Sequence, residues 1–160
     1  TREQLFAMQV ANGTVPVRGP GVTVVINQGS SRITYDSLLS LVQELRDAGA
    51  EAIEVDGYRV GGRTSFGQSV DRHLLIDRHP LNFPLRVVAI GSSQTLQVAL
   101  KIPGGVGDTV TSNGGRFEVT AGQVEITSGL QEGDIVVARA GALLREGDPV
   151  RAVMASADTK

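Results

Sequence analysis

Apolar residues along the chain follow two periodicities, and each predicts a different kind of element. Residues 22–27, VTVVIN, form a β-branched run typical of a strand that is buried on both faces. Residues 36–48 carry apolar side chains at i, i+3, i+4 and i+7, which predicts an amphipathic helix. The stripe consists of Leu38, Leu41, Val42 and Leu45, and Leu39 widens it.

The ends of this helix carry recognisable signals, and a hairpin follows. Asp36 is expected to cap the first turn, and Gly49 to take the left-handed position after the last turn. AIEV at 52–55 alternates like a half-buried strand. Asp56-Gly57 is a pair typical of a hairpin turn, so residues 58–65 are expected to return as a second strand.

Three further elements are predicted in the middle of the chain. HLLID at 73–77 indicates a short strand, and LRVVAIG at 85–91 a strand with a continuous apolar run. Ser92 or Ser93 is expected to cap a helix that runs to about Lys101, with Leu96 and Leu100 facing inward.

The remaining segments carry weaker patterns. Residues 1–21 suggest the frayed end of a helix followed by a linker that carries Pro16 and Pro20. VGDTVTSNGG at 106–115 fits a helix by the spacing of its valines, but its threonines and glycines weaken that interpretation. FEVTAGQVEIT at 117–127 suggests two short strands around Ala121-Gly122.

The order of these elements predicts an α+β fold. We expect a ferredoxin-like mixed sheet with two helices on one face, followed by a C-terminal β extension. In that extension Gly133-Asp134 and Gly147-Asp148 each precede a β-prone run, which is expected to dock on the strand at Phe117–Val119 or to exchange between chains. The predicted domain limits are 1–18 for the helix remnant and linker, 19–127 for the α+β domain, 128–154 for the extension and 155–160 for a disordered tail.

Composition narrows the function classes. The 160 residues include 15 basic and 17 acidic side chains, a net charge of −2, which argues against a nucleic-acid partner. Without any cysteine the chain has no disulfides, thiolate ligands or thiol nucleophiles. No apolar run approaches the roughly 18 residues of a membrane-spanning helix.

Candidate chemistry is sparse. Asp71, His73, Asp77 and His79 would share one face of a strand, but a solvated strand edge and turn is the favoured interpretation over a metal site. In GGVGDT, Asp108 stands where a phosphate-binding loop needs lysine. The serines lie in turn or cap contexts without a triad pattern. We therefore expect no enzyme activity and no cofactor, and keep a hydrolase using Asp71 or His73 as the enzymatic alternative.

A small basic cluster is the one candidate interaction patch. Arg59 and Arg63 lie on the predicted hairpin, and Arg32 precedes the first helix of the domain. Such a patch would suit a carboxylate of a protein partner or an anionic polymer, although scattered arginines on an exposed hairpin are ordinary.

Residues 19–127 resemble a known family. GPGVTVVIN, then AGAEAIEVDGYRV, then RVVAIG and a helix that ends in PGG follow one another as in the YlxW-like family of unknown function, from division gene clusters of Gram-positive bacteria. Asp56 stands where that family usually has asparagine, which keeps the turn chemistry. The resemblance implies an N-terminal membrane anchor, a short coiled coil and a domain outside the cytoplasm.

The tail resembles something else. VEITSGLQEGDIVVARAGALLREGDPVRAV at 124–153 is similar to the membrane-proximal β segment of the periplasmic adaptor subunits of efflux pumps. Two non-catalytic functions therefore stay open beside the hydrolase hypothesis. The first is a non-catalytic extracytoplasmic interaction domain of a membrane-anchored envelope or division protein, with protein partners that include a second copy. The alternative is a fragment of an efflux-pump adaptor.

Overall fold

The helices and strands are those of an α+β protein. The computed structural model describes residues 1–12, 15–30, 32–127, 135–138 and 152–154. The helices are α1 (Arg2–Asn12), α2 (Tyr35–Asp47), α3 (Ser93–Leu100) and α4 (Val106–Ser112). The strands are β1 (Val17–Asn27), β2 (Ala52–Val55), β3 (Tyr58–Val60), β4 (Phe66–Gln68), β5 (Leu74–Ile76), β6 (His79–Pro80), β7 (Leu85–Ile90), β8 (Arg116–Ile126), β9 (Ile135–Ala138) and β10 (Ala152–Met154).

The main sheet is built around β1. Its strand order is β10-β9-β1-β7-β2-β3. β9 and β7 lie along different parts of one edge of β1, and β8 pairs with the whole of the opposite edge. The four strands β8, β1, β7 and β2 are neighbours in that order and antiparallel, as in the ferredoxin-like arrangement. The expected α+β class is confirmed. β4, β5 and β6 form a second, three-stranded sheet between β3 and β7 in the chain.

Each face of the main sheet carries its own hydrophobic cluster. The larger cluster lies under α2, α3 and α4 and includes Leu45, Leu96 and Val110. The smaller cluster lies on the opposite face, where Val10 and Phe6 of α1 cover Ile126 and its neighbours. The expectation of two helices on one face is therefore wrong: among the described residues, three helices lie on that face and one lies on the opposite face.

β1 begins five residues earlier than the apolar run predicts. The interpretation of Pro16 to Pro20 as a linker is wrong from Val17 onward, and β1 crosses the predicted limit at residue 18. Pro20, which has no N–H to donate, is tolerated in β1 because the pairing with β7 begins one residue later, at Gly21. Its carbonyl oxygen accepts a hydrogen bond from the Gly91 N–H (2.9 Å).

The predicted helix at 36–48 is α2, and all four residues of its apolar stripe are buried. Its N-cap is Thr34 rather than Asp36: the Thr34 hydroxyl accepts a hydrogen bond from the Ser37 N–H (3.2 Å). Asp36 already lies inside the first turn, where a carboxylate still interacts favourably with the helix dipole. Gly49 has a φ of +87°, as predicted.

The hairpin and the segment after it agree in part with the sequence. Asp56 and Gly57 both have positive φ, 50° and 82°, as the predicted turn requires. Ala52–Val55 is buried on both faces instead of half-buried, because α1 covers the back of the sheet. β3 ends at Val60, and the residues predicted to continue it turn into β4, which the sequence pattern did not predict.

The last part of the described domain is more regular than predicted. The ambiguous segment at 106–115 contains α4, and Ser92 is confirmed as the N-cap of α3. β8 is one strand instead of two. It pairs with β1 residue by residue from Arg116 to Ile126, so Ala121-Gly122 continues the ladder where a turn was expected.

The C-terminal extension joins the main sheet at a different strand from the one predicted. β9 runs parallel to β1, with Val17 and Arg18 as partners, and β10 pairs with β9. Docking on Phe117–Val119 is therefore replaced by pairing with β1. The two predicted Gly-Asp turns and the predicted disordered tail at 155–160 lie outside the described residues.

The buried stripe of α2 makes a direct prediction. Leu45→Ala is expected to lower the free energy of unfolding by about 2–5 kcal/mol, because it leaves a cavity beneath a fully buried side chain. Leu39→Ala on the same helix should cost less than about 1 kcal/mol, since 37 % of Leu39 is exposed. Urea denaturation of both variants checks this, and equal losses would contradict the packing described here.

Candidate functional site

A groove of about 400 Å³ opens between α2 and the β3–β4 connection. Val42 and Phe66 form its apolar part, and Leu39 is half-exposed at its side. Ser40, Gln43 and Arg46 add polar groups from α2, and Gly61, Gly62 and Thr64 complete the opposite wall. A concavity that combines an apolar part with several polar groups can bind a small molecule or a few side chains.

Thr64 gives the loop wall of the groove its shape. Its hydroxyl accepts a hydrogen bond from the Gly61 N–H (2.7 Å) and lies within donating distance of the Arg59 carbonyl oxygen (3.4 Å). The two contacts hold the loop back against the end of β3. Gly62 is exposed, and a Cβ there would meet no atom within 4 Å. Because glycine has no side chain, the loop wall of the groove is lowest at Gly62.

Arg46 is the charged group of the groove. It lies in the last turn of α2, and its guanidinium has no hydrogen-bond or ion-pair partner among the described residues. Gln43, one turn earlier, donates to Asp47 Oδ1 (2.7 Å) instead. The groove therefore offers an exposed cation beside an apolar wall, which suits a carboxylate close to an apolar side chain.

Arg59 is not exposed, although the predicted interaction patch requires an exposed side chain. Its guanidinium is half-buried under α1, where Nη1 donates to the Val15 carbonyl oxygen and Nη2 to the Val10 carbonyl oxygen, both at 3.0 Å. Nε is buried without a hydrogen-bond partner among the described residues. Burial lowers the pKa of Arg59, and the negative charge of Glu54, its cross-strand partner, opposes that shift. Arg59 is thus a structural residue that fixes α1 to the sheet.

The other two arginines of the predicted patch have separate surroundings. Arg32 Nη1 donates to the Asp71 carbonyl oxygen (3.1 Å) in the β4–β5 turn. Arg63 is exposed between Gly62 and Thr64, so it flanks the groove. Of Arg32, Arg59 and Arg63, only Arg63 keeps a place near a candidate binding surface. Arg46 was missed, although Leu39, Gln43 and Arg46 share the i, i+4, i+7 spacing of one helix face.

The four side chains weighed as metal ligands are not on one strand. β5 ends before Asp77, and Asp77 and Arg78 form the turn into β6 with φ values of 46° and 70°. Asp77 Oδ1 accepts from the Ser65 N–H (2.8 Å), and the His79 ring stacks on Tyr58 with centroids 5.1 Å apart. Among the residues that the structure describes, no three His, Asp or Glu side chains converge as metal ligands would.

Two carboxylates occupy the glycine-rich turn before α4. Asp108 Oδ2 accepts from the Gly104 N–H (3.0 Å), and Glu44 Oε1 of α2 accepts from the Val106 N–H (3.3 Å). Glu44 thereby caps α4 from a neighbouring helix, because the N-cap residue Gly105 has no side chain. Partial burial raises the pKa of Glu44, and the Val106 hydrogen bond opposes that shift. The backbone N–H groups of Gly104, Gly105 and Val106 therefore already have acceptors within the protein, and two of those acceptors are carboxylates that would repel a phosphate.

Fold and site together define a ferredoxin-like α+β domain with an inserted small sheet and an open groove beside α2. Residues 4–137 match the family described as bacterial protein of unknown function, DUF881, and the chain belongs to that family. None of the described helices has the length and apolar character needed to cross a membrane.

Related proteins occur in mycobacteria. A "UPF0749 protein" of Mycobacterium tuberculosis is 35 % identical over 130 residues, which cover 78 % of this chain and 44 % of that protein. A second one from the same species is 31 % identical over 111 residues, covering 59 % of this chain and 36 % of the relative. The chain thus spans less than half the length of these curated relatives.

A solved structure shows the same fold. The crystal structure of an uncharacterized conserved protein from Mycobacterium tuberculosis is 32 % identical to this chain and superposes with a TM-score of 0.73, covering 92 % of this chain and 99 % of that one. These matches do not confirm the YlxW-like resemblance or the efflux-adaptor resemblance of the tail.

The position of Arg59 predicts a stability effect with a local signature. Arg59→Met should lower the free energy of unfolding by about 1.5–3 kcal/mol, because two charge-assisted hydrogen bonds to backbone are lost. Hydrogen exchange should rise most in α1. Arg63→Met is the matched control, since Arg63 is exposed, and should change neither quantity. Equal behaviour of the two variants would mean that Arg59 does not hold α1.

Proposed function

We propose that this chain is a non-catalytic interaction domain whose groove binds a short segment of a partner protein. The observation that carries the proposal is that Arg46, whose guanidinium has no hydrogen-bond or ion-pair partner within the described part of the chain, lines the same groove as the apolar side chains of Val42 and Phe66. The bound segment would present an acidic side chain next to an apolar one. The acid would meet Arg46, and the apolar side chain would lie against the wall.

The groove has features that favour a peptide over a folded surface. Its volume of about 400 Å³ suits a few side chains, and the low wall at Gly62 lets an extended backbone pass over the loop. Ser40 and Gln43 line the α2 side, where their polar groups can meet peptide N–H and C=O groups. Arg63, exposed beside the loop wall, adds a second positive charge that favours an acidic segment.

Selection of peptides tests this function. A random displayed peptide library panned on the purified chain should yield sequences in which Asp or Glu adjoins an apolar residue. Arg46→Glu should weaken binding of the selected peptides at least about tenfold, or about 1.4 kcal/mol, in a fluorescence titration. Lys101→Glu is the matched control, because Lys101 is an exposed cation at the end of α3 and should leave affinity unchanged.

Two results would contradict the proposal. The first is the absence of any enriched sequence, and the second is equal binding by Arg46→Glu and the wild-type chain. Melting curves of both charge variants show whether a loss of binding reflects a loss of fold.

The same proposal places the domain outside the cytoplasm, in a membrane-anchored protein of the bacterial envelope or division machinery. Support for this part comes from the YlxW-like succession of motifs at residues 19–127. A fusion of alkaline phosphatase to the C-terminus of the natural full-length protein should be active, since the enzyme folds only outside the cytoplasm. A fluorescent-protein fusion at the same point is the control, and it should be dark if exported in unfolded form. The reverse pattern would contradict this location.

A further inference from the structure

β8 is paired on one side only within the described part of the chain. Its eleven residues match Val17–Asn27 of β1 one for one, and no described strand lies along its outer edge. The unbroken register leaves no bulge, and the strand contains no proline. Natural sheets usually protect a long edge by one of these devices or by charge.

The outer backbone groups of β8 can be assigned from β1. The hydrogen bond from the Gly91 N–H shows that the Pro20 carbonyl points toward β7 and therefore away from β8. The register partner of Pro20 is Gln123, so the N–H and C=O of Gln123 point away from β1. Alternate residues along the strand share that direction, which places Val119 and Ala121 in the same outward row.

The middle of β8 carries no charged side chain that would oppose pairing with another strand. Residues 120–123 are exposed and uncharged. The charged residues lie toward the two ends: Arg116 and Glu118 at one end, and Glu125, paired with Arg18 at 2.8 Å, at the other. A Cβ added at Gly122 would meet no atom within 4 Å. The unprotected stretch is therefore the centre of the strand.

We propose that β8 is a self-association edge, which pairs antiparallel with β8 of a second copy of this chain. A two-fold axis perpendicular to the sheet keeps each side chain on its own face, and the pairing that uses the whole strand is centred on Ala121. In that register Arg116 faces Ile126, Glu118 faces Val124 and Glu125 faces Phe117, so no like charges are opposed. A parallel pairing in register would oppose Arg116 with Arg116 and Glu118 with Glu118.

The two-fold axis gives Ala121 a special position, because it faces its own copy. Ala121→Lys would oppose two lysines, and Ala121→Glu would oppose two glutamates. Each variant should be monomeric at concentrations where the wild-type chain dimerises, and an equimolar mixture of the two should recover a dimer. Sedimentation velocity over a concentration series measures this, since a single strand pair predicts a weak, concentration-dependent dimer.

The control is Ala7→Lys, which adds the same charge at an exposed alanine of α1 and should leave the dimer intact. Arg46→Glu should also dimerise normally, so loss of peptide binding and loss of dimer are separate results. A wild-type chain that stays monomeric throughout the series overturns the proposal. Dimerisation of Ala121→Lys equal to that of the wild type does the same.

Cross-linking provides a nearly isosteric test that does not depend on tolerance of a charge. The chain has no cysteine, so Ala121→Cys carries a single thiol. In a two-fold pair the Cα atoms at this site would be about 5.5 Å apart, within disulfide range. Mild oxidation should give a covalent dimer of Ala121→Cys and much less of Ala7→Cys. Equal yields from the two variants would overturn the proposed register.

Discussion

The pairing and two-sided burial of β1 is the constraint on which the rest of the structure depends. One eleven-residue strand holds β7 and β9 on one edge and β8 on the other, while its two faces belong to different hydrophobic clusters. Val22, Val24 and Ile26 face α2–α4, and Val17 faces α1. Because both faces must be covered, the domain needs helices on both sides of the sheet. Gly21 lies close to both neighbouring strands: a Cβ there would meet the Ala89 carbonyl oxygen of β7 at 2.1 Å and Val124 Cγ2 of β8 at 2.6 Å.

Local signals predicted those elements whose causes are local. The apolar stripe of α2, the positive φ at Gly49, the Asp56-Gly57 turn and the Ser92 cap each depend on residues within one or two turns of chain. The predictions were wrong where a residue distant in the sequence determines the local conformation or burial. Ala121-Gly122 has the composition of a turn, yet eleven pairs with β1 keep it extended. Arg59 lies in a segment whose sequence is typical of an exposed hairpin. The carbonyl oxygens that accept its hydrogen bonds nevertheless lie 49 and 44 positions earlier, at Val10 and Val15. A single sequence carries no sign of such pairings.

The groove shows how an insertion adds a site to a common core. β8, β1, β7 and β2 with α2 and α3 would form a sheet without β3–β6, and the sequence predicted most of that core. The insertion places Phe66 against α2 and leaves the concavity beside it. Its position could not be predicted, because β4 spans three residues and the polar contacts of Thr64 are within a loop. Of the α2 residues that line the groove, the sequence pattern singled out Leu39 and Val42 alone, as members of the apolar stripe.

Arg59 of β3 contacts both the N-terminal segment that contains α1 and the loop wall of the groove. The Arg59 side chain holds the carbonyl oxygens of Val10 and Val15 on one side of the sheet, while its own carbonyl oxygen lies 3.4 Å from the Thr64 hydroxyl that shapes the loop. Removing the Arg59 guanidinium alone costs stability, because the carbonyl oxygens of Val10 and Val15 then lose their donor. Its effect is also positional: two directed hydrogen bonds, to Val10 in α1 and to Val15 shortly after it, specify one docking geometry for α1, which apolar packing of Phe6 and Val10 alone would leave less defined. A displacement of α1 would separate the Arg59 guanidinium from its two carbonyl acceptors, so β3 holds both the N-terminal helix and the loop wall of the groove in place.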